Sequence, residues 1–218
     1  MHFNKNDKIG SYTVAFPHKQ GSYAETYRVK DQNGKTQFLK LINYSKLNRN
    51  QFDDDGRVIE IEIAKRLKHH NLCQLIESGS MMMNGGQFAW FVTEFVSGET
   101  LSQRIIRDDN ISVYDIKVIA KAVLSALSFL HSQPTPIIHN EVTIQNVLLN
   151  LTAGFQDLKL IDFGNACFLD QHPVKLHLNE FNPFYLAPER FSGVSSVQAD
   201  LYSVGVMMYH LLYGKLPW

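Results

Sequence analysis

The chain has 218 residues, 44% hydrophobic and 19% charged, and its 21 Lys plus Arg balance 21 Asp plus Glu. Such a composition belongs to a globular chain long enough to bury a substantial core. The zero net charge, with no local basic cluster, argues against nucleic acid or an anionic membrane as partner. Only Cys73 and Cys167 occur, and residues 1–7 hold no apolar run of signal-peptide type, so a reducing cytoplasm is the expected setting. The nine histidines and two cysteines lack paired zinc-type spacing, and no structural metal is expected. The most apolar stretch, residues 201–218, is broken by His210, Gly214, Lys215 and Pro217, so it reads as a buried helix and not as a bilayer span.

Along the chain, short alternating apolar runs over residues 12–42 are separated by Lys19-Gln20-Gly21-Ser22 and by Asp31-Gln32-Asn33-Gly34, which predicts three antiparallel strands. Val58, Ile61, Ala64 and Leu67 recur at helical steps and predict a helix that ends at His69-His70-Asn71. Residues 75–80 and 87–92 form a second strand pair across Asn84-Gly85-Gly86, and Ser97-Gly98-Glu99-Thr100 reads as a loop before a short helix. Ser112 is a candidate cap for a long helix with Ile116, Ile119, Val123, Leu127 and Leu130 on one face, closed off by Pro134 and Pro136. A strand-rich first half feeding a helical second half predicts α+β architecture. The irregular stretch over residues 162–196 is long enough to suggest function.

Three segments of the second half follow in order: Ile138-His139-Asn140-Glu141-Val142-Thr143-Ile144-Gln145-Asn146, then Asp162-Phe163-Gly164, then Ala187-Pro188-Glu189. Their order and spacing resemble the catalytic loop, metal loop and activation-segment end of the protein kinase superfamily, and the resemblance covers essentially the whole chain. It implies a two-lobed kinase fold: residues 1–96 as a lobe of antiparallel sheet plus one helix, and residues 97–218 as a mainly helical lobe lacking its last helices. It also implies ATP and Mg2+ as cofactors, and a protein substrate or regulatory protein as partner.

Roles then follow by resemblance, residue by residue. Lys40 is similar to the strand lysine that pairs with nucleotide phosphates, and Glu60, ahead of Glu62, to its helix partner. Asn146 and Asp162 are similar to the two metal-holding residues, whose hard oxygens suit Mg2+. Each has a plainer reading: a solvated Lys–Glu pair, an Asp that shapes a turn, an Asn that bonds backbone. Gly21 is the one glycine kept of the phosphate-covering G-x-G-x-x-G-x-V, with Lys19 and Ala24 in the outer positions and Thr26 in place of the roof valine. Phe38 takes the position of a small alanine in the adenine slot, where its ring either fills the slot or turns aside into the core. Thr93, Glu94 and Val96 resemble the hinge that borders the nucleotide, and Leu148 belongs to the same implied pocket.

Departures concentrate in the catalytic loop. The family reads H-R-D-x-x-x-x-N; this chain has Asn140 for the arginine that binds a phosphorylated activation loop and Glu141 for the aspartate that receives the substrate proton. Thr143 replaces the catalytic-loop lysine of Ser/Thr kinases and Asn182 the threonine that accompanies it, which reduces charge compensation at the transferring phosphate. Asp200 resembles the helix aspartate that supports the catalytic-loop backbone, and Glu189 the glutamate of the activation-segment end. Two functions follow: an atypical Ser/Thr protein kinase with Glu141 as base, or a pseudokinase acting as a binding module without turnover. The family continues beyond Trp218, so Val204, Met207, Met208, Leu211 and Leu212 on the helix over residues 197–213 are expected to lie uncovered, open to a following domain or to self-association.

Overall fold

The computed structural model describes residues 1–107, 111–151, 153–169 and 182–218. Its chain divides into two compact units, one of Met1–Lys65 with Gln74–Phe95 and one of Arg66–Cys73 with Val96–Trp218. Its architecture is α+β, an antiparallel sheet unit and a mainly helical unit.

The first unit is built on six strands: β1 (Lys8–Ile9), β2 (Tyr12–Gln20), β3 (Ala24–Lys30), β4 (Thr36–Asn43), β5 (Leu75–Met83) and β6 (Gly86–Glu94). They pair antiparallel in the order β1-β2-β3-β4-β6-β5. The period-two alternation sends Tyr27, Leu39, Leu41, Trp90 and Val92 into one apolar cluster. The opposite face carries Ala24, Ile42, Ala89 and Phe91, which pack with Val58 and with Ile61 of helix α1 (Ile59–Ala64). Lys40 and Phe38 alternate in step with Ile42, so they stand on this second face.

Turn chemistry sets the register. Asn84 and Gly85 both have positive φ, 51° and 75°, which is the two-residue turn whose twist matches a hairpin, and Met83 pairs with Gly86 across it. At the earlier hairpin the Asp31 carboxylate accepts the N–H groups of Asn33 and Lys35, both at 2.9 Å, beside Gly34 at φ 79°.

The second unit contains β7 (Gly98–Thr100), α2 (Leu101–Arg107), α3 (Val113–His131), β8 (Ile137–Ile138), β9 (Val147–Asn150), β10 (Gly154–Leu160), β11 (Cys167–Phe168) and α4 (Val197–Tyr213). Ser112 caps α3 by accepting the Asp115 N–H at 3.1 Å, and Ser196 caps α4 by accepting that of Ala199 at 3.0 Å. Gly214, at φ 65°, ends α4 in the left-handed conformation that glycine adopts without a Cβ penalty.

Three sequence expectations need correction. Residues 98–100 are not loop but strand, paired to β9. A Cβ built on Gly98 would lie 2.1 Å from the Leu149 carbonyl oxygen, so glycine is what lets the two backbones meet. Helix α1 stops at Ala64 and does not run to Leu67: residues 66–73 belong to the second unit, where Asn71 donates to the Leu158 carbonyl at 3.0 Å and Leu72 bridges Leu160. Tertiary pairing there overrides helical periodicity. Finally, Val204, Met207 and Leu211 are buried, because α4 turns that face onto α3; the outward residues are Leu201, Leu212 and Tyr213. Residues 162–196 hold β11 and two short 3-10 turns, Pro183–Tyr185 and Pro188–Ser192, while residues 170–181 of that stretch lie outside the described residues.

Gly79 tests the first core. It pairs with Trp90 across β5 and β6, and a Cβ there would come within 2.5 Å of the indole. Gly79→Ala forces that ring to move and is expected to lower unfolding stability by about 1–3 kcal/mol, as overpacked cores do. A urea midpoint equal to that of the parent chain would contradict the packing described.

Candidate active site

In the first unit the site is a buried ion pair on a sheet face. Lys40 Nζ lies 2.6 Å from Glu60 Oε1, with the two side chains only 11% and 7% exposed. Tyr23, beside Gly21 in the turn between β2 and β3, closes a triangle. Lys40 Nζ donates to its hydroxyl at 3.1 Å, the hydroxyl donates to Glu60 Oε2 at 3.3 Å, and the ammonium stands 5.1 Å from the ring centroid. A solvated surface pair does not look like this. Glu62, two residues beyond Glu60 on α1, pairs instead with Lys65 at 2.6 Å.

Around this pair the sheet positions the remaining residues. Thr26 is the cross-strand partner of Lys40, and its hydroxyl donates to the Lys19 carbonyl at 3.3 Å. Gly21 donates its N–H to the Ala24 carbonyl at 2.8 Å, and a Cβ at Gly21 would sit 3.2 Å from that oxygen, so the turn is too tight for a side chain without adjustment. Phe38 pairs with Thr93, which is buried, and Glu94 accepts the Gln74 N–H at 3.1 Å. The Phe38 ring is half-buried and meets His18 edge-on at 6.0 Å on the Lys40 face.

In the second unit Asp200 organises the catalytic loop. Its carboxylate, 1% exposed, accepts the His139 N–H at 2.9 Å and the Asn140 N–H at 2.8 Å, and lies 2.9 Å from His131 Nε2. Asn140 has φ 65°, a left-handed conformation for which asparagine is suited. His139 is fully buried between two loops: Glu141 donates its N–H to Nδ1 at 3.3 Å, and Nε2 lies 3.2 Å from the Ile161 carbonyl. Those contacts assign a neutral ring protonated on Nε2. Burial holds His139 below its ordinary value of 6.5, opposed by the charges of Asp200 and Asp162.

Asn146 and Asp162 are joined through backbone. Ile161 donates to the Asn146 carbonyl at 2.9 Å, which ties the end of the catalytic loop to the residue before Asp162. Asn146 donates its amide to the Glu141 carbonyl at 3.0 Å and keeps its oxygen as a hard donor, while Asp162, at φ 65°, accepts the Gly164 N–H at 3.2 Å. Among the described residues no group of three or more His, Cys, Asp or Glu gathers to hold a metal ion. One carboxylate and one amide oxygen fit Mg2+, which keeps several waters and completes its shell with phosphate oxygens. Leu148 stands on β9 opposite Lys159 and Thr100, and Val96 opens the second unit; both are half-buried.

The loop substitutions have local partners. Thr143 is buried and uncharged, and Asn182 accepts the Phe184 N–H at 3.2 Å to cap a 3-10 turn. Glu141 receives a hydrogen bond from Asn165 Nδ2 at 2.9 Å on its Oε2. Asn165 and Tyr23 are contacts that motif matching passes over. Their only signal in the sequence is adjacency, one to Asp162-Phe163-Gly164 and the other to Gly21.

The protein kinase domain family matches residues 19–218, and the chain belongs to that family. Among similar proteins, Serine/threonine-protein kinase TIO of Arabidopsis thaliana is 33% identical over 204 residues, which covers 91% of this chain and 14% of that protein. Calcium-dependent protein kinase 5 of Plasmodium berghei (strain Anka) is 28% identical, covering 91% of this chain and 34% of that protein. CBL-interacting protein kinase 8 of Oryza sativa subsp. japonica is 27% identical, with 97% and 46% covered. The chain thus spans less than half the length of each of these relatives. No helix among the described residues is long and apolar enough to cross a membrane.

Asp200→Ala leaves two buried backbone N–H groups without their acceptor. It is expected to cost about 3–5 kcal/mol of unfolding stability in urea, the range for breaking a buried charged network. A loss under about 1 kcal/mol would mean that Asp200 does not hold the loop. Burial also lowers His69 and His210, in the same direction as His139. An unfolded chain takes up these protons near 6.5 and the folded one only below it, so their contribution is complete above that value and is lost as pH falls beneath it. The urea midpoint is expected to drop between about pH 7.5 and about pH 5.5; a midpoint that holds or rises contradicts this.

Proposed function

We propose that this kinase domain binds ATP with Mg2+ and transfers the γ-phosphoryl group to Ser or Thr hydroxyls of a protein substrate. The observation that carries the reading is the Lys40–Glu60 pair, buried at 2.6 Å on the face shared with Thr26, Phe38 and Thr93. A buried ion pair is a poor stabiliser compared with apolar residues of equal volume, so its use is better sought in orienting the lysine toward phosphate oxygens. Asn146 and Asp162 are the residues that would hold the metal. Bound there, Mg2+ supplies neutralisation of charge on the transferring phosphate. Glu141 accepts the proton of the attacking hydroxyl while its oxygen bonds to the γ-phosphorus. The β–γ bridging bond breaks, and ADP leaves with the electron pair. By likeness to the relative named as a CBL-interacting kinase, a regulatory protein partner accompanies this reading.

A second reading is favoured by Phe38. Its half-buried ring stands on the Lys40 face, Thr143 and Asn182 bring no positive charge, and Lys19 and Ala24 replace two loop glycines. On this reading the chain is a pseudokinase, a module that binds a partner and does not turn over ATP.

One experiment separates the two. ATP with Mg2+ is expected to raise the melting temperature, by the equivalent of about 2.7 kcal/mol at a hundredfold excess over Kd, and EDTA or Asp162→Ala to remove the shift. Incorporation of labelled phosphate that depends on Asp162 supports the enzyme. A metal-dependent shift without incorporation supports the binding module, and incorporation that survives Asp162→Ala overturns the proposed site.

A further inference from the structure

The two departures at the heart of the catalytic loop, Asn140 and Glu141, meet at one residue. Asn140 Nδ2 donates to the Asn165 carbonyl at 3.0 Å, and Asn165 Nδ2 donates to Glu141 Oε2 at 2.9 Å. This is a consequence of register. Strands β8 and β11 pair Ile138 with Cys167, and two residues further along the same register Asn165 faces Asn140. An arginine at position 140 would carry no short amide to take that carbonyl, and an aspartate at 141 would stop one C–C bond, about 1.5 Å, short of the Asn165 amide.

From this we infer that Asn165 is a positioning residue for Glu141, holding the carboxylate of the longer side chain against the metal loop; the inference rests on the proposal that Glu141 is the proton acceptor. Glu141 is already fixed at its backbone, its N–H given to His139 Nδ1 and its carbonyl taken by Asn146 Nδ2. What a glutamate adds is one more rotatable bond between that anchored backbone and the carboxylate. The Asn165 bond removes this freedom at the far end. The amide suits the task because it donates without adding charge beside Asp162, whatever the pH. With the carboxylate tethered through Oε2, the group that takes the substrate proton is held in one place. The extra methylene is therefore accommodated by a partner, and Asn140, Glu141 and Asn165 act as one unit.

A double-mutant cycle tests this. Asn165→Ala is expected to lower kcat about tenfold with the KM for ATP and the melting temperature unchanged, since a loosened base loses rate and not ground-state binding. In a Glu141→Asp background, where the shorter carboxylate has already left the bond, the same Asn165→Ala change is expected to alter kcat by less than about twofold. Equal losses in both backgrounds, or no loss in either, would overturn the coupling. A readout that needs no turnover is the side-chain amide resonance of Asn165 in the nucleotide-free chain. Glu141→Asp is expected to move it to the position of a solvent-exposed amide. If the parent chain transfers no phosphate, this resonance alone decides: a shift upholds the contact while the catalytic reading fails, and an unmoved resonance sinks the inference itself.

Discussion

A carboxylate taken almost wholly out of water must be given donors, and Asp200 on α4 takes them from the backbone of the catalytic loop. Accepting two successive N–H groups, from His139 and Asn140, compels the chain to turn there, which is why Asn140 sits at positive φ. The turn presents Glu141 with its N–H on His139 and its carbonyl on Asn146. Asn146 in turn accepts the Ile161 N–H and so sets where Asp162 begins. Remove the Asp200 acceptor and each later position loses its reference. The second unit is therefore held together at this loop by polar bonds from buried groups, and α3 and α4 supply the apolar support behind them.

The first unit solves a different problem. Its sheet must keep one face apolar and still present on the other an ammonium that a carboxylate from α1 can reach. Period-two alternation does so with no special device: Leu39 and Leu41 go one way, Lys40 the other. Glu60 reaches Lys40 because α1 presents it on the side that also packs Ile61 on the sheet, whereas Glu62 is carried round to Lys65. Tyr23 then spans both charges with one hydroxyl, which spreads the desolvation cost of the pair over a third polar group.

The altered catalytic loop is not simply a damaged one. Asn140 and Glu141 each make hydrogen bonds that the family's arginine and aspartate would not make from the same backbone, and both bonds end on Asn165. Thr143 and Asn182 are different in kind: Asn182 caps a local turn, and Thr143 is buried and leaves no charge where a lysine is common in the family. Phe38 stands apart again, a half-buried aromatic ring on the Lys40 face that meets His18.

Much of the fold was open to reading from the chain alone, because local chemistry determined it: alternation in residues 12–42, Asn84-Gly85 as a hairpin turn and Ser112 as a helix cap, while motif spacing singled out Lys40, Glu60, Asn146 and Asp162 as candidates. These are effects within a few residues or recurring family spacings, and neither needs a partner distant in sequence to be seen. What tertiary structure alone decided is where long-range pairing overrides or completes such signals. Gly98 becomes strand because Leu149 approaches its backbone, α1 ends early because residues 66–73 bond to β10, and Val204, Met207 and Leu211 are buried because α4 meets α3. Asn165 meets Glu141 because β8 and β11 fix the register of two loops more than twenty residues apart, and no periodicity in either segment encodes that contact.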